Sequence, residues 1–272
     1  ASNGLLVVTG GPGTGKTTTI NAIIRYFEQQ NEEILLAAPT GRAAKRMTEA
    51  AGCEARTIHR LLEYGYGENG FTRNQDNPID TDVIIVDEMS MVDLELMQAL
   101  LEALRPGCRL VLVGDPDQLP SVGAGNVLGD LLRSTVVPTV SLTQVFRQAE
   151  QSAIIRNAHA VNLGQPPQLD SNQGDFFFLC RRSPDRLVQT VVELCRDRLP
   201  KNMNVPADQI QVLSPTRKGA CGTAALNRAL QAALNPPAAG KRQKQWGDVT
   251  FRVGDRVMQT KNNYDVLWLS LI

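Results

Sequence analysis

Short apolar runs alternate with helical patterns in the first 150 residues of the chain. The apolar runs have the length of strands and lie at Leu5–Thr9, Ile34–Ala38, Val83–Val86, Leu110–Val113 and Val137–Leu142. Apolar residues recur at helical spacing near residues 16–30, 42–51, 57–63, 92–104 and 125–133. Strands separated by helices predict an α/β fold with a mostly parallel sheet and helices on both faces. The polar stretch Tyr64–Asp82 is predicted to be a surface loop.

A second alternation follows residue 150, after segments rich in Gln, Pro, Asn and Gly. The predicted strands are Phe176–Cys180, Ile210–Leu213 and Val253–Gln259, and the predicted helices are Pro184–Leu199 and Ala220–Leu234. The polar segment Asn235–Gly247 is predicted to be a loop. We therefore expect two domains, residues 1–150 and 151–272.

Composition favours a folded chain that does not cross a membrane. Apolar residues make up 42% of the 272, and no apolar run approaches the roughly 20 residues that a transmembrane helix needs. The five cysteines are odd in number and lack a C-x-x-C spacing, which is typical of a reduced chain and argues against a metal site. We therefore expect a cytoplasmic protein.

Charge is unevenly divided, although the net charge is zero. Residues 1–150 hold 12 Lys and Arg against 19 Asp and Glu, a balance of −7. Residues 151–272 hold 16 against 9, a balance of +7. Ordinary solvated surface would explain this difference, and so would a polyanion that contacts the second half.

The most informative motif is Gly-Gly-Pro-Gly-Thr-Gly-Lys-Thr at residues 10–17, which matches the phosphate-binding pattern G-x-x-x-x-G-K-[ST]. It lies between an apolar strand and an amphipathic helix, so the helix N-terminus is expected to point at the phosphates of a nucleoside triphosphate. Lys16 is expected to reach the β- and γ-phosphates, and Thr17 to ligate Mg²⁺. The predicted nucleotide contacts are Gly11, Pro12, Gly13, Thr14, Gly15, Lys16, Thr17 and Thr18.

A pair of carboxylates follows the predicted strand Val83–Val86. Asp87 is placed to hold the Mg²⁺ shell, and Glu88 is the natural general base for the water that attacks the γ-phosphate. A phosphotransferase does not need a carboxylate directly after the Mg²⁺ aspartate, so the pair favours hydrolysis. Solvated acids at a strand end are the structural alternative, which the upstream phosphate loop disfavours.

A third strand is expected to deliver polar groups to the same edge of the sheet. Leu110–Val113 continues into Gly-Asp-Pro-Asp-Gln-Leu-Pro-Ser-Val at residues 114–122. Open α/β sheets bind ligands beyond the carboxyl ends of their strands, which places Gln118 near Glu88 and the phosphates. A neutral amide there can bond the attacking water or the γ-phosphate, although a Pro-stabilised turn would also have this sequence.

The order of the motifs is more specific than any one of them. The phosphate loop is followed by Ala-Pro-Thr-Gly-Arg-Ala-Ala at 38–44, Thr-Ile-His-Arg-Leu-Leu at 57–62, Val-Asp-Glu at 86–88, the 114–122 segment and Leu-Thr-Gln-Val-Phe-Arg-Gln at 142–148. Val-Leu-Ser-Pro-Thr-Arg-Lys-Gly at 212–219 and Gly-Asp-Arg-Val-Met-Gln at 254–259 come next. In this order they resemble the RecD-like branch of the superfamily 1 DNA helicases over nearly the whole chain.

The resemblance implies a motor built from RecA-like domains. The expected fold is a P-loop NTPase sheet followed by a partial second RecA-like α/β domain, with ATP in the cleft between the two. ATP and Mg²⁺ are the implied cofactors, and single-stranded DNA, on which the family moves 5′ to 3′, is the implied partner. The resemblance further implies a monomer that acts in DNA repair or recombination beside other proteins of those processes.

The resemblance also implies roles for single residues. Arg147 matches the arginine that stabilises transition-state charge at the γ-phosphate. For His59, a packed neutral histidine is an equally good explanation. The resemblance also offers a function for the +7 charge balance of residues 151–272, because cations such as Arg217 would displace counterions from a DNA strand. The implied DNA contacts are Thr40, Gly41, Arg42, His59, Pro120, Ser121, Val122, Thr216 and Arg217.

Two departures from the family's pattern limit these expectations. Only nine residues precede Gly10, so an adenine-contacting glutamine is missing. The family's small β-barrel, late DNA motif and final arginine motif are not found after Asp265. We therefore expect a truncated fragment that hydrolyses ATP poorly on its own. A P-loop nucleotide-binding regulatory module without translocation is the alternative function.

Overall fold

The computed structural model describes residues 4–65, 70–144, 151–170 and 174–258. The chain divides into two compact units, Ala1–Phe178 and Leu179–Ile272. The predicted boundary at residue 150 lies inside the first unit, and the assignment of functional domains to these units stays a prediction. Within the described residues, no helix combines the length and the apolar character needed to cross a bilayer.

A six-stranded parallel sheet forms the centre of the first unit. In chain order the strands of this unit are β1 (Leu5–Gly10), β2 (Ile34–Ala38), β3 (Ala55–Thr57), β4 (Tyr64–Gly65), β5 (Gly70–Phe71), β6 (Val83–Val86), β7 (Arg109–Gly114) and β8 (Thr139–Leu142). The central sheet has the order β3-β2-β6-β7-β1-β8, and each neighbouring pair is parallel. Strands β4 and β5 form a separate short hairpin, so the segment predicted as a loop contains local pairing.

Helices cover both faces of this sheet. They are α1 (Lys16–Glu28), α2 (Gly41–Ala51), α3 (Ile58–Leu61), α4 (Leu94–Glu102), α5 (Val127–Ser134) and α6 (Ala153–Asn162). Successive side chains of β6 belong to different apolar clusters, Ile84 and Val86 to one and Val83 and Ile85 to the other. Because neighbouring residues of a strand point to opposite faces, both faces of the sheet are buried. The predicted P-loop α/β fold is confirmed.

The second unit is built differently. Its helices are α7 (Pro184–Glu193), α8 (Leu199–Met203) and α9 (Thr223–Leu234), and a π-helical turn at Leu194–Arg198 joins the first two. An antiparallel hairpin follows, formed by β9 (Gln243–Trp246) and β10 (Val249–Arg252). The loop predicted for Asn235–Gly247 therefore ends early, because residues 243–246 pair with β10.

Three strand predictions for the C-terminal half are wrong. Phe176–Cys180, Ile210–Leu213 and the described part of Val253–Gln259 form no strand. An apolar run becomes a strand only when a neighbouring strand accepts its hydrogen bonds, and within the described residues these runs have no such neighbour. Their apolar side chains are accordingly exposed, Phe178 by 54% and Leu213 by 87%.

Candidate functional site

The phosphate loop connects the end of β1 to the start of α1. Gly13 and Gly15 have φ values of 75° and 86°, in the left-handed region that favours glycine. A Cβ on Gly10 would lie 2.4 Å from Thr14 Oγ1, which itself donates a hydrogen bond to the Gly11 carbonyl at 2.8 Å. The tight curl of the loop therefore depends on the glycines that the motif supplies.

The lysine of the loop lies against the loop's own backbone. Lys16 Nζ donates to the carbonyl oxygens of Gly10 at 2.6 Å and of Gly11 at 3.1 Å. Gly15 precedes α1 and provides no side-chain cap, so the first N–H groups of this 13-residue helix can bind an anion. A lysine ammonium group and uncapped N–H groups are the donor set that a polyphosphate requires, and the loop fits one.

Two carboxylates follow β6 at the carboxyl edge of the sheet. Asp87 Oδ1 accepts the backbone N–H of Glu88 at 2.8 Å. Burial raises the pKa of Asp87, and this hydrogen bond and the charge of Lys16 oppose the rise. Burial also raises the pKa of Glu88, and the negative charge of Asp87 adds to the effect. Glu88 has a φ of 57°, a left-handed backbone conformation that non-glycine residues adopt mainly at turns and functional sites.

The end of β7 packs closely against the segment that follows Glu88. A Cβ on Gly114 would lie 3.1 Å from Met89 Cβ and 2.8 Å from Leu128 Cδ2, so a side chain there would force these neighbours to shift. The next residue, Asp115, is buried, and its Oδ1 accepts the N–H of Asp117 at 3.0 Å. These contacts fix the path of the chain on which Gln118 lies.

The side chain of Gln118 is hydrogen-bonded to the turn that follows β6. Ser90 Oγ donates to Gln118 Oε1 at 3.4 Å, and Ser90 is itself buried. Because the amide oxygen accepts from Ser90, the amide NH₂ group is the donor that a ligand would meet. The sequence-based placement of Gln118 near Glu88 agrees with this geometry.

One pocket of about 410 Å³ joins the predicted nucleotide and DNA residues. Its polar lining comes from α1, from α2 and its N-cap, and from the segments that follow β6 and β7. The lining includes Thr17, Asn21, Thr40, Arg42, Arg46, Asp87, Glu88 and Gln118. A second, apolar pocket of about 320 Å³ between α1 and β7 contains none of the predicted site residues.

The predicted DNA contacts of α2 lie where this helix begins. Thr40 is the N-cap, and its Oγ1 accepts the N–H of Ala43 at 3.2 Å. A Cβ on Gly41 would meet nothing within 4 Å, so the backbone there is open to a ligand. Arg42 follows on the exposed surface. Thr40 thus has a structural role as a cap, while its hydroxyl hydrogen can still be donated.

The predicted contact His59 lies on the short helix α3. Its ring centroid lies 5.9 Å from that of Tyr64 and 5.8 Å from that of Phe71, on the β4–β5 hairpin. The side chain is nevertheless exposed. Packing and ligand contact are therefore compatible, and the DNA-binding role of His59 stays a prediction.

The loop after Gln118 presents an apolar side chain to solvent. Val122 is fully exposed, and Pro120 next to it in the loop is also exposed. Ser121 Oγ donates to the carbonyl oxygens of Gly123 and Gly125, at 3.2 and 3.3 Å, which shapes the loop. An exposed valine on a loop that internal hydrogen bonds shape is suited to contact the apolar face of a base.

The remaining predicted residues lie elsewhere. Thr216 and Arg217 are exposed in the second unit, where the Thr216 carbonyl accepts the N–H of Thr223 at 3.0 Å, at the start of α9. Thr18 is exposed on the first turn of α1. Arg147 lies outside the described residues.

Sequence reasoning missed four residues of this region. Ser90 and Asp115 hold Gln118 and its loop, and both sit within three residues of a predicted site residue, which was an available signal. Arg46 lines the pocket one helical turn after Arg42, a spacing that could also have been noticed. Asn21 carried no local signal. Its Oδ1 is buried without a hydrogen-bond partner within the described chain.

Comparison with known proteins gives consistent matches over both halves. Residues 1–124 match the family described as "AAA domain", and residues 226–267 match "ATP-dependent RecD-like DNA helicase SH3 domain". The chain is 43% identical over 265 residues to the "ATP-dependent RecD2 DNA helicase" of Deinococcus radiodurans, which covers 97% of this chain and 35% of the relative. It is 35% identical over 300 residues to the "RecBCD enzyme subunit RecD" of Mycobacterium tuberculosis, covering 97% of this chain and 51% of the relative.

Among solved structures, the Pif1 helicase from Candida albicans aligns with a TM-score of 0.46 and 24% identity, over 69% of this chain and 50% of that chain. The chain spans about a third to a half of the length of the two curated relatives. The SH3-domain match begins within α9 and includes the β9–β10 hairpin, which lie upstream of Asp265, after which the family's small β-barrel was not found in the sequence.

Proposed function

We propose, from the premise that this chain belongs to the RecD-like family of DNA helicases, that it is part of a motor that hydrolyses ATP to move along single-stranded DNA. One observation carries the proposal. The pocket that holds Thr17, Glu88 and Gln118 continues without interruption to Thr40 and Arg42 at the start of α2. Groups suited to a nucleotide and groups suited to a DNA backbone therefore share one cavity.

Binding of the triphosphate is assigned to the phosphate loop and α1. Lys16 exchanges the carbonyl oxygens of Gly10 and Gly11 for phosphate oxygens, and the N-terminus of α1 adds its dipole. Thr17 and Asp87 would hold Mg²⁺, which neutralises charge on the β- and γ-phosphates when bound. One hydroxyl and one carboxylate are an appropriate set for Mg²⁺, which takes few protein ligands beside phosphate and water.

Hydrolysis is assigned to Glu88 as the general base. Burial raises the pKa of Glu88 from its ordinary value of 4.5, which makes the carboxylate a stronger base toward water. Gln118, bonded to Ser90 through its oxygen, would donate its amide hydrogen to the γ-phosphate or to the attacking water. Arg147 would stabilise charge in the transition state, as the family pattern implies.

Contact with the DNA strand is assigned to exposed or half-buried residues of both units. Thr40, Gly41 and Arg42 would bind the phosphodiester backbone, as would Thr216 and Arg217, because hydroxyls, N–H groups and cations bind phosphate without reading sequence. His59, Pro120, Ser121 and Val122 would line the path of the strand. Movement 5′ to 3′, a cytoplasmic location, a monomeric state, and work with repair or recombination proteins belong to the same proposal.

The test is the ATPase rate of the full-length protein with and without single-stranded DNA. We expect the rate to rise when DNA is added, and Lys16→Ala to abolish both the basal and the stimulated rates. A rate indifferent to DNA, with nucleotide binding intact, would favour the regulatory module without translocation. Transfer of the γ-phosphate to an acceptor other than water would indicate a phosphotransferase.

A further inference from the structure

A histidine on α6 lies beside the phosphate loop. A Cβ placed on Gly11 would lie 3.3 Å from Cε1 of His159, the ring carbon bonded to both imidazole nitrogens. Gly11 is the second residue of the loop whose backbone surrounds phosphate in sites of this class. The imidazole therefore lies beside the phosphate-binding backbone, and the lack of a side chain at position 11 permits the approach.

One nitrogen of this ring bonds to none of the residues that the structure describes. His159 Nε2 is buried, and it makes no hydrogen bond within the part of the chain that the structure describes. Buried polar atoms are paired in the great majority of cases, so an exception needs an explanation, of which a ligand contact is one. A phosphate oxygen accepts hydrogen bonds, and an imidazole N–H donates them.

Hydrogen bonds hold the helix that carries His159 in place. Ser152, the N-cap of α6, donates from Oγ to Asp175 Oδ2 at 2.5 Å. Asn157 is buried and exchanges two hydrogen bonds with the backbone of Gln168, at 3.1 and 2.8 Å. His159 is therefore presented by a fixed element, as a residue that positions a ligand should be.

We propose that His159 is a nucleotide-binding residue whose Nε2–H donates a hydrogen bond to the phosphate chain of the bound nucleotide. The inference rests on the proposed function, because it requires a nucleotide in the loop. The phosphate chain is the part of the ligand that lies against Gly11, and His159 thus forms a second wall of the phosphate site. The competing explanation is that the ring only fills space beside Gly11.

Substitution by phenylalanine separates the two explanations in the 272-residue chain. His159→Phe keeps a ring beside Gly11 but removes the nitrogens, so we expect the Kd for ADP to rise about tenfold, the value of one hydrogen bond to a charged group. The melting temperature without nucleotide should not fall through the loss of Nε2, which bonds to no described residue. His159→Gln, which restores an N–H donor, should recover part of the affinity. Val161→Ala, on the exposed surface of α6, is the matched control.

Histidine NMR tests the contact in the unaltered chain. The sequence has only two histidines, His59 and His159, so a sample labelled at histidine gives two sets of ring signals, and the signal lost in His159→Phe is assigned at once. Pyrophosphate and ADP should shift the Nε2 resonance of His159, whereas adenosine should not. The signal of His59 should not respond to pyrophosphate.

Three results would overturn the inference. One is a His159→Phe variant that binds ADP and pyrophosphate as tightly as the wild type. Another is a loss of affinity that His159→Gln does not relieve and that accompanies a lower melting temperature, as a packing role predicts. The third is an Nε2 resonance that stays unchanged at saturating ADP. If the wild-type chain bound no nucleotide at all, the proposed function would fail and this inference with it. In the first three results the wild-type chain still binds nucleotide, so they overturn only the role of His159.

Discussion

The first unit contains two surfaces with different proposed functions, and they are built in contrasting ways. The nucleotide edge, defined by Lys16, Asp87, Glu88 and Gln118, lies at the ends of buried strands and is held by hydrogen bonds to neighbouring turns. The second surface is the one proposed to contact the DNA strand, and we call it the strand surface. It is defined by residues 40–42, 59 and 120–122 and consists of helix starts and loops whose side chains are mostly exposed. If the proposed roles hold, the difference teaches that reaction chemistry is placed on groups fixed at the ends of core strands, whereas DNA contact is placed on surface groups. When each ligand is measured without the other, substitutions at one surface should therefore change nucleotide binding and substitutions at the other should change DNA binding.

The largest expected effect is the loss of turnover in Glu88→Gln. Removing a general base lowers the rate by about 100-fold to 10,000-fold, while the amide keeps the shape of the side chain, so nucleotide affinity should stay within a few-fold. The measurement is steady-state ATPase of the full-length protein alongside nucleotide binding. Glu95→Gln, an exposed residue of α4, is the control. Retained turnover with lost binding would show that Glu88 is not the base.

The rigidity of the nucleotide edge can be tested at Gly114. In Gly114→Ala the added methyl group would collide with Met89 and Leu128, so we expect a loss of about 1–3 kcal/mol in the free energy of unfolding. Denaturant titration measures it. Gly4→Ala, where the added atom meets nothing within 4 Å, should cost far less. Equal effects at the two glycines would argue against close packing at this edge.

The strand surface should respond to loss of a single cation. Arg42→Ala is expected to weaken binding of single-stranded DNA by about 1 kcal/mol or less, with the Kd for ATP unchanged. The slope of log K for DNA against log salt concentration should fall in magnitude by about one. Lys45→Ala on the same helix removes the same charge away from the pocket and serves as control. If both variants behaved alike, the contact would be a general charge effect rather than a local one.

The smallest expected effect is a pH-dependent stability difference at Glu88. Burial and the charge of Asp87 raise the pKa of Glu88, so the folded chain holds this proton more tightly than the unfolded chain does. That contribution is present at low pH and is lost as the pH rises through the raised pKa. Glu88→Gln should therefore exceed the wild-type free energy of unfolding at pH 7 by about 0.5 kcal/mol, since a half-exposed carboxyl is screened. Thermal unfolding should show the gap closing below pH 4.5, and a gap that widens in acid would contradict this account.

The two surfaces also differ in how well the sequence predicts them. The strand runs near Val83–Val86 and Leu110–Val113 were found because burial on both faces leaves an unbroken apolar pattern, and they carry Asp87 and Gln118 to a common edge. Asn21 and His159 were missed, because their roles come from tertiary contacts that no local pattern records. Ser90 was missed although it lies close to Glu88 in the sequence. In the C-terminal half, apolar runs such as Ile210–Leu213 are predicted to be strands but form none. A run forms a strand only if another strand pairs with it, and sequence periodicity does not reveal the partner.

The central claim is that the nucleotide edge and the strand surface are coupled, and the most direct measurement is the affinity of the full-length protein for single-stranded DNA in different nucleotide states. A motor requires that ATP and DNA each change the affinity for the other, typically by about fivefold or more. We predict that the Kd for DNA differs by at least that factor between a non-hydrolysable ATP analogue and ADP, and that DNA changes the nucleotide affinities by the reciprocal ratio. Equal DNA affinity in both states, with both nucleotides bound, would contradict the account.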